Sequence, residues 1–331
     1  MQNCAIVILN YNGEEMLKRF LPSVIKFSQS DVWVIDNASQ DQSRAILEKD
    51  FPQVQLISLA ENFGYAGGYN WGLEQLGGKY EFFILLNSDV EVTEGWDSKL
   101  LEAFQRDEKI AALQPKILSA QNPKVFDYAG AGGGFLDTLY YPYCRGRIWN
   151  VIEEDKGQYD DFCLVDWASG ACLAIRSACF FEHEGFDAHF FAHMEEIDLC
   201  VRMQQAGWKI AYTGDSVVYH LGGATLDRSS PKKLYLNIKN SISLIYKAES
   251  TFNFAVIFIL KFVVEMLASL AYTLIGKKEY GKAILQGYKD FFQSKEQFLK
   301  TEGYKKFRKK GPSFWIYWDF WVTRKKTFDR L

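Results

Sequence analysis

Four acidic side chains and one histidine stand where they could share a site. Asp36 and Asp89 each follow an apolar run, Glu195 and Glu196 are adjacent, and His220 ends another apolar segment. Carboxylates and imidazoles bind divalent cations, and a carboxylate within hydrogen-bond reach of a hydroxyl can remove its proton. These residue types predict a site that combines a bound cation with a general base.

The segment Asn87-Ser88-Asp89 follows the apolar run 82–86. Asp89 could ligate a metal ion, and the amide of Asn87 could hydrogen-bond a ribose or a phosphate. An aspartate after a strand is also a common turn or cap residue, and a single histidine such as His220 is often structural. Each signal is weak when it is taken alone.

Two further segments carry polar or flexible residues. The carboxylate of Asp36 could accept hydrogen bonds from a pyrimidine or a ribose, although the nearby Ser39 could simply cap the following helix. Gly64 and Gly67 would permit close approach of the backbone to a phosphate at a helix start. An ordinary glycine-rich turn explains these two glycines equally well.

Glu195 and Glu196 begin a predicted helix that Gly207 ends. Acidic residues in the first turn are favoured by the helix dipole, which is a purely structural explanation. The functional explanation is general-base catalysis, in which one of the two carboxylates takes the proton of an attacking hydroxyl group.

Short apolar runs alternate with helical patterns through the first half of the chain. This alternation predicts an α/β fold with a mostly parallel central sheet flanked by helices. Ligands of such sheets bind beyond the carboxyl ends of the strands, which is where Asp36 and Asp89 fall. The predicted strands are 5–9, 32–35, 54–58, 82–86 and 111–114.

The pattern changes from 115 to 161, where glycine, tyrosine, aspartate and asparagine predominate. This composition predicts a long, loop-rich connection, and long loops in compact domains are often lids or substrate loops. Regular structure is expected to return near 165–175, followed by a helix at 195–206 and a strand at 210–213.

The overall composition narrows the class of protein. A formal net charge of -3 gives no electrostatic signature of a nucleic-acid-binding protein. The apolar run at the N-terminus is too short for a signal peptide and lacks a basic stretch before it, so a cytoplasmic location is expected. The six cysteines include no C-x-x-C pair, which predicts reduced thiols.

The segment 253–275 approaches the length of a membrane span, yet it carries Lys261 and Glu265. Each charge costs about 2.5 to 3.5 kcal/mol at a bilayer centre, and pairing at i,i+4 lowers that cost. We favour a helix in the membrane interface over a buried soluble helix or a true span. The tail 300–331 indicates an anionic membrane surface as partner, because ten basic against three acidic residues give it a net charge of +7.

Seven motifs follow one another through residues 3–245. They are Ile8-Leu-Asn-Tyr-Asn-Gly13, Val34-Ile-Asp-Asn-Ala-Ser39, Asn62-Phe-Gly-Tyr-Ala-Gly-Gly68, Leu85-Leu-Asn-Ser-Asp89, Asp166-Trp-Ala-Ser-Gly-Ala171, Glu195-Glu-Ile-Asp-Leu-Cys200 and His220-Leu-Gly-Gly223. In this order they resemble the inverting family 2 glycosyltransferases, and most closely their rhamnosyltransferase-like branch.

This resemblance implies a GT-A catalytic domain, which we place at 1–245. We expect a helical C-terminal extension with membrane-interface character at 246–331. A divalent metal, Mg²⁺ or Mn²⁺, is expected at Asp89, with His220 completing the metal or diphosphate shell. The D-x-D motif of the family is loosened here, because Asn87 replaces its first aspartate.

The resemblance also implies roles for other residues. The paired acidic motif falls on Glu195 and Glu196, and its second member, usually Asp, is here one methylene longer, so the choice of base stays open between the two. Trp167 and Ser169 would border the acceptor. The residues expected to hold the donor nucleotide are Asn10, Tyr11, Asn12, Asp36, Asn62, Gly64, Gly67, Asn87 and Ser88.

The expected activity is transfer of one sugar from a nucleoside diphosphate to a saccharide hydroxyl, with dTDP-L-rhamnose favoured as donor. The acceptor is expected to be lipid-linked, for example to undecaprenol, at the inner face of the plasma membrane, in cell-surface polysaccharide synthesis.

The main alternative is a catalytically silent sugar-nucleotide or glycan-binding scaffold. A processive synthase is disfavoured by the lack of a Q-x-x-R-W motif, and a nucleotidyltransferase by the lack of a basic glycine-rich loop in residues 1–20. The oligomeric state, a homo-oligomer included, stays open.

Overall fold

The computed structural model describes residues 3–222, 230–298 and 306–331, so Gly223, Lys300 and Lys305 lie outside the described residues. Two sheets are present in these ranges. Their strands are β1 (Cys4–Asn10), β2 (Asp31–Asp36), β3 (Gln55–Ser58), β4 (Phe82–Asn87), β5 (Val90–Val92), β6 (Ile110–Ser119), β7 (Gly134–Leu136), β8 (Pro142–Cys144), β9 (Arg147–Ile148), β10 (Val151–Ile152), β11 (Phe162–Val165), β12 (Cys172–Arg176) and β13 (Lys209–His220).

The main sheet has the order β11-β13-β6-β12-β4-β1-β2-β3, and β5 also pairs with β13. Its half made of β3, β2, β1 and β4 is parallel, as the sequence predicts. In the other half β12 runs antiparallel to both β4 and β6, so the sheet as a whole is mixed. Alternate residues of β1 enter two separate apolar cores, because successive side chains of a strand point to opposite faces.

Strand register brings the predicted polar residues to one edge. Asn10 of β1 lies opposite Asp36 of β2, and Leu9 of β1 lies opposite Asn87 of β4. The short strand β5 begins directly after Asp89 and pairs with the end of β13, where Val90 lies opposite His220. This pairing places the histidine beside the aspartate although they are far apart in sequence.

Helices cover both faces of the main sheet. The small residues of α3 permit close packing, because a side chain at Gly68 would meet Leu9 and one at Gly72 would meet Ile35. Ser39 does not cap α2, since Ser39 accepts hydrogen bonds from Asn10 and Asn12 instead. The helices of this part are α1 (Glu14–Phe27), α2 (Ser43–Asp50), α3 (Gly64–Glu74), α4 (Trp96–Ala103), α5 (Ser177–Glu182) and α6 (Glu195–Gln205).

The stretch 115–161 contains more regular structure than the sequence predicts. Strand β6 continues to Ser119, and β7 to β10 form a separate antiparallel sheet. Most of the stretch is irregular, as predicted, but strands of two or three residues are too short to show a period of two, so the sequence does not reveal them.

The C-terminal part is helical, and its helices are α7 (Pro231–Ala248), α8 (Thr251–Leu274), α9 (Lys278–Ser294) and α10 (Ile316–Trp321). Helix α7 continues through residue 245, where the sequence predicts a boundary between two domains. That domain boundary stays a prediction. Among the described helices, α8 is the one with the length and apolar composition to cross a membrane. Its buried residues are the polar Lys261, Glu265 and Ser269, and its apolar side chains are largely exposed. The alternative of a buried soluble helix was therefore wrong.

Candidate active site

A cavity of about 450 Å³ lies where the main sheet, α6 and the C-terminal helices meet. It brings together residues from segments far apart in the sequence. Seven of the predicted site residues line it: Asn87, Asp89, Trp167, Ser169, Glu195, Glu196 and His220. The cavity thus contains the side chains that the sequence assigns to the metal, the base and the acceptor.

His220 lies between two buried carboxylates. Its Nε2 is 3.2 Å from Oδ1 of Asp89, and its Nδ1 is 3.0 Å from Oδ2 of Asp127. Burial alone would lower the pKa of His220, but hydrogen bonds to Asp127 and Asp89 outweigh burial and raise that pKa to about 10. This pKa favours the protonated imidazole, whose charge balances those of the two carboxylates.

Asp89 is held by the backbone as well as by His220. Its Oδ2 accepts a hydrogen bond from the N–H of Gly222 at 3.2 Å, and its carbonyl oxygen accepts one from the N–H of Leu221 at 3.0 Å. Burial would raise the pKa of Asp89, whereas the hydrogen bond and charge of His220 lower it below the ordinary value. Asp89 is thus an ionised carboxylate in the cavity wall.

Glu195 and Glu196 open α6 at the other side of the cavity. Oε2 of each carboxyl group is buried and has no hydrogen-bond partner among the described residues. Burial raises the pKa of both groups, and the charge of Glu196 raises that of Glu195 further, well above its usual range. Burial of both carboxyl groups therefore favours the protonated form of at least one of them.

A strained turn precedes these glutamates. Asn240 of α7, which is fully buried, holds this turn by donating its side-chain amide to three backbone carbonyl oxygens of the turn. Left-handed backbone at a residue other than glycine costs about 1 to 3 kcal/mol, so such a turn persists only where its surroundings fix it. The turn residues with positive φ are Phe191 (φ 60), His193 (φ 68) and Met194 (φ 74).

We expect Glu195→Gln to raise the melting temperature at pH 8 but not near pH 4. The pKa of this carboxyl is higher in the folded than in the unfolded protein, so stability falls as pH rises above the unfolded value of about 4.3. Glutamine cannot ionise and removes that loss, which is about 1.4 kcal/mol for each unit of pKa difference. Calorimetric scans at both pH values measure the effect, with the exposed Glu182→Gln as control. Equal shifts at pH 4 and pH 8 would contradict the burial argument.

Four of the residues predicted to hold the nucleotide lie at the ends of β1 and β2 rather than in the cavity wall, namely Asn10, Tyr11, Asn12 and Asp36. The amide of Asn10 donates to Asp36 at 3.2 Å and to Ser39 at 3.1 Å, and the backbone N–H of Asn12 donates to Ser39 at 2.9 Å. Asp36 also forms an ion pair with Arg44 at 2.6 Å. The carboxylate of Asp36 therefore already has partners, and its role toward a nucleotide stays a prediction.

A second network involves Asn62 and the glycines after it. The amide of Asn37 donates to Asn62 at 2.9 Å and to the carbonyl oxygen of Gly64 at 3.0 Å. Gly64 has a φ of +72°, and a side chain there would meet Phe191, while one at Gly67 would meet the ring-bearing carbon of Phe63. Packing thus explains both glycines without a phosphate. Tyr11 is exposed and Ser88 is half-buried at the same edge.

The two predicted acceptor residues are buried in the cavity wall. The indole N–H of Trp167 donates to the carbonyl oxygen of Phe135 at 3.0 Å. The hydroxyl of Ser169 donates to the carbonyl oxygen of Ala129 at 3.2 Å and accepts from the N–H of Ala171. Both side chains shape the cavity, and their contact with an acceptor stays a prediction.

Sequence reasoning missed several residues of the site. Asp127 lies in the irregular stretch after β6, where no periodicity marks it. Tyr65, whose hydroxyl donates to the carbonyl oxygen of Gly170 at 2.9 Å, lies inside a quoted motif that could have revealed it. Lys261 and Glu265 of α8 also line the cavity, although the sequence indicates only their mutual pairing.

Comparison with known proteins supports one family. The sequence profile described as Glycosyl transferase family 2 matches residues 5–163. The rhamnosyltransferase WbbL of Escherichia coli K12 is 39% identical over 224 residues, which cover 62% of this chain and 79% of that protein. The chain belongs to glycosyltransferase family 2. This membership confirms the resemblance drawn from the seven motifs and makes the protein a glycosyltransferase.

Two further similar proteins agree with this result. An N-acetylglucosaminyl-diphospho-decaprenol L-rhamnosyltransferase of Mycobacterium tuberculosis is 28% identical over 229 residues, covering 65% of this chain and 75% of that protein. The structure of the mannosyltransferase PcManGT of Pyrobaculum calidifontis, in complex with GDP-Man and Mn²⁺, superposes with a TM-score of 0.55 at 11% identity, covering 88% of each chain. The GT-A fold predicted from the motifs is thereby confirmed.

Proposed function

We propose that this family 2 glycosyltransferase transfers one sugar, with L-rhamnose from dTDP-L-rhamnose favoured, to a hydroxyl of a lipid-linked saccharide. The observation that carries the proposal is the convergence of Asp89, His220 and Glu196 on one cavity. The preference for rhamnose rests on the two rhamnosyltransferases among its relatives. The lipid-linked acceptor rests on the diphospho-decaprenol acceptor that the M. tuberculosis relative is named for.

Asp89 and His220 fit a divalent cation. Oδ1 of Asp89 is 3.2 Å from Nε2 of His220, so these two atoms could ligate one cation. A cation bound at Nε2 would displace the proton from that nitrogen, and the hydrogen bond from Nδ1 to Asp127 would then fix the tautomer that binds metal. Mg²⁺ or Mn²⁺ held there would neutralise charge on the departing diphosphate. The bound Mn²⁺ in the structure of PcManGT supports this choice.

Glu196 is the proposed base, with Glu195 as its protonated neighbour. Burial raises the pKa of both carboxyl groups, so the choice rests on position: Glu196 is the second member of the acidic motif, which the family resemblance associates with the base. Glu196 takes the proton of the acceptor hydroxyl as that oxygen attacks the anomeric carbon. Attack from the face opposite the diphosphate inverts the anomeric configuration.

The exposed face of α8 is proposed to lie in the surface of the membrane. Lys261 and Glu265 of α8 are buried against the rest of the protein and pair at 3.0 Å, so the charges avoid lipid. The outward side chains are apolar, and α10 adds the exposed Trp318 and Trp321. Indole rings favour the headgroup region, and basic residues of the tail favour anionic lipid. This orientation would put the cavity beside a lipid-linked acceptor at the cytoplasmic face.

We expect the protein to co-sediment with phosphatidylglycerol vesicles, and the triple variant Leu260→Gln, Leu267→Gln, Leu274→Gln to bind at least about tenfold more weakly. These three leucines share one face of α8, and burial of each contributes about 1.5 to 3 kcal/mol. The matched control replaces Ile152 and Phe181 by Gln, since both are exposed apolar residues outside the C-terminal helices. Equal sedimentation of the triple variant and the control would refute the membrane contact.

A panel of nucleotide sugars tests the donor and the function together. With Mn²⁺ present, the true donor should raise the melting temperature, because a ligand at 100 times its dissociation constant adds about 2.7 kcal/mol to stability. Release of nucleoside diphosphate should then stop in EDTA. A catalytically silent binding scaffold would be stabilised by the same donor yet release nothing in either condition.

A further inference from the structure

Arg147 of β9 is a buried cation in the wall of the catalytic cavity. Arg147 is 8% exposed and lines the same cavity as Asp89 and Glu196. A guanidinium carries five N–H donors and a permanent charge. Its burial at this position therefore needs an explanation in the contacts of its side chain.

The described part of the chain supplies few partners for that charge. Nη1 of Arg147 donates to the carbonyl oxygen of Trp149 at 3.1 Å, and Nη2 lies 3.8 Å from Sγ of Cys144. Its Nε has no hydrogen-bond partner among the described residues. The carboxylate of Asp127 acts on the guanidinium through its charge, but no carboxylate forms an ion pair with Arg147 within the described ranges. Burial raises the pKa of the Cys144 thiol, so this sulfur is neutral and does not cancel the charge.

A second cation lies close to Arg147. The guanidinium carbon of Arg147 is 4.3 Å from the ring centre of Tyr128, and Nζ of Lys233 is 5.4 Å from the same ring centre. Tyr128 directly follows Asp127, which holds His220 at 3.0 Å. Both cations thus contact the ring of the residue next to Asp127, and both line the cavity.

We infer that Arg147 forms a phosphate-binding subsite, to which Lys233 adds positive charge. Removing a charge from water without an ion pair is costly, and a bound phosphate would offset this cost through paired N–H···O bonds to the planar guanidinium. The assignment rests on the proposed function for the origin of the phosphate. That phosphate belongs either to the donor diphosphate or to the diphosphate linker of a lipid-bound acceptor.

Arg145 provides a matched control two residues away. Arg145 is similarly buried, and its guanidinium lies over the rings of Tyr159 and Tyr212. Its charge is paired, however, because Nη1 lies 3.0 Å from Asp161 and Nε donates to the carbonyl oxygen of Gly132 at 2.7 Å. Arg145 is absent from the cavity wall. The two arginines therefore differ in the feature on which the inference depends.

Binding of inorganic pyrophosphate, measured by titration calorimetry in EDTA, tests the subsite without turnover or metal. We expect Arg147→Met to weaken binding at least about tenfold, because charge-assisted hydrogen bonds to phosphate are lost, and Arg145→Met to bind within twofold of the wild type. Binding by Arg147→Met that matches the wild type would overturn the assignment. Because the titration involves no sugar transfer, its failure is separable from failure of the proposed function.

The same titration with two other probes identifies the source of the phosphate. Weaker binding of dTDP, UDP or GDP by Arg147→Met would assign the subsite to the donor, and weaker binding of farnesyl diphosphate alone would assign it to the acceptor. Unchanged binding of both classes would overturn the inference. If Arg147→Met fails to fold by circular dichroism, Arg147→Lys carries the test, because it keeps the charge and loses the planar pair of donors. Affinity of Arg147→Lys equal to that of the wild type would then refute the subsite.

Discussion

Glu196→Gln should lower the rate of sugar transfer by at least about a hundredfold while donor affinity stays nearly unchanged. Glutamine keeps the size of the side chain but cannot accept a proton from the acceptor hydroxyl. The pKa of Glu196 is raised by burial, so the wild-type rate should also rise with pH through a pKa above the usual glutamate range. Initial rates at saturating donor, together with calorimetric donor binding, separate the two effects.

Glu195→Gln is the matched control for this experiment. Glu195 lies next to Glu196 in the same cavity and is proposed to carry the proton, so its replacement should reduce the rate far less. Collapse of transfer in Glu195→Gln with activity retained in Glu196→Gln would exchange the two roles. Rates within about tenfold of the wild type in both variants would remove the acidic pair from the chemistry altogether.

Much of the main sheet could be predicted from the sequence, because strands buried on both faces leave short apolar runs bounded by polar residues. The carboxyl ends of β1, β2 and β4 fall where the runs end, and Asn10 and Asp36 meet there. The meeting of Asp89 with His220 depends instead on β5, a strand of three residues that pairs with β13. A strand so short shows no periodicity. The prediction that Asp89 and His220 lie together therefore rests on the resemblance to the family motifs.

The supporting residues of the site could not be predicted in this way. Asp127 orients His220 from an irregular stretch, and Asn240 holds the turn before α6 from a helix of the C-terminal part. Neither residue belongs to a local pattern, since each acts through a contact more than 45 residues away in sequence. Tertiary contacts of this kind become visible in the folded structure.

Helix α8 shows how composition can leave orientation undecided. Its length and apolar content fit a buried helix, an interfacial helix and a membrane span alike. In the structure Nζ of Lys261 lies 3.3 Å from the ring centre of Tyr141. The carboxylate of Glu265 accepts hydrogen bonds from the hydroxyl groups of Tyr141 and Tyr288. These tyrosines come from other parts of the chain, and they determine which face of α8 is turned inward.

Asp97→Asn is the control for substitution of Asp89, because it removes a buried carboxylate that is not a proposed metal ligand. Asp97 is fully buried, but its carboxylate accepts hydrogen bonds from the backbone N–H groups of Gln29 and Ser30 at 2.8 and 3.0 Å, away from the cavity. Its replacement should lower the melting temperature, while the activity that remains should still be abolished by EDTA and restored by Mn²⁺.

Asp89→Asn is expected to reduce transfer by about a hundredfold or more, to a residual rate that EDTA no longer changes. Asparagine can keep the hydrogen bond from Gly222, but its neutral oxygen is a poorer ligand for a divalent cation than a carboxylate. The variant and EDTA remove the same contribution, so their effects should not add. Release of nucleoside diphosphate, measured with and without EDTA for the wild type and the variant, completes this cycle. An Asp89→Asn enzyme whose activity remained high and still depended on Mn²⁺ would show that the cation is held elsewhere.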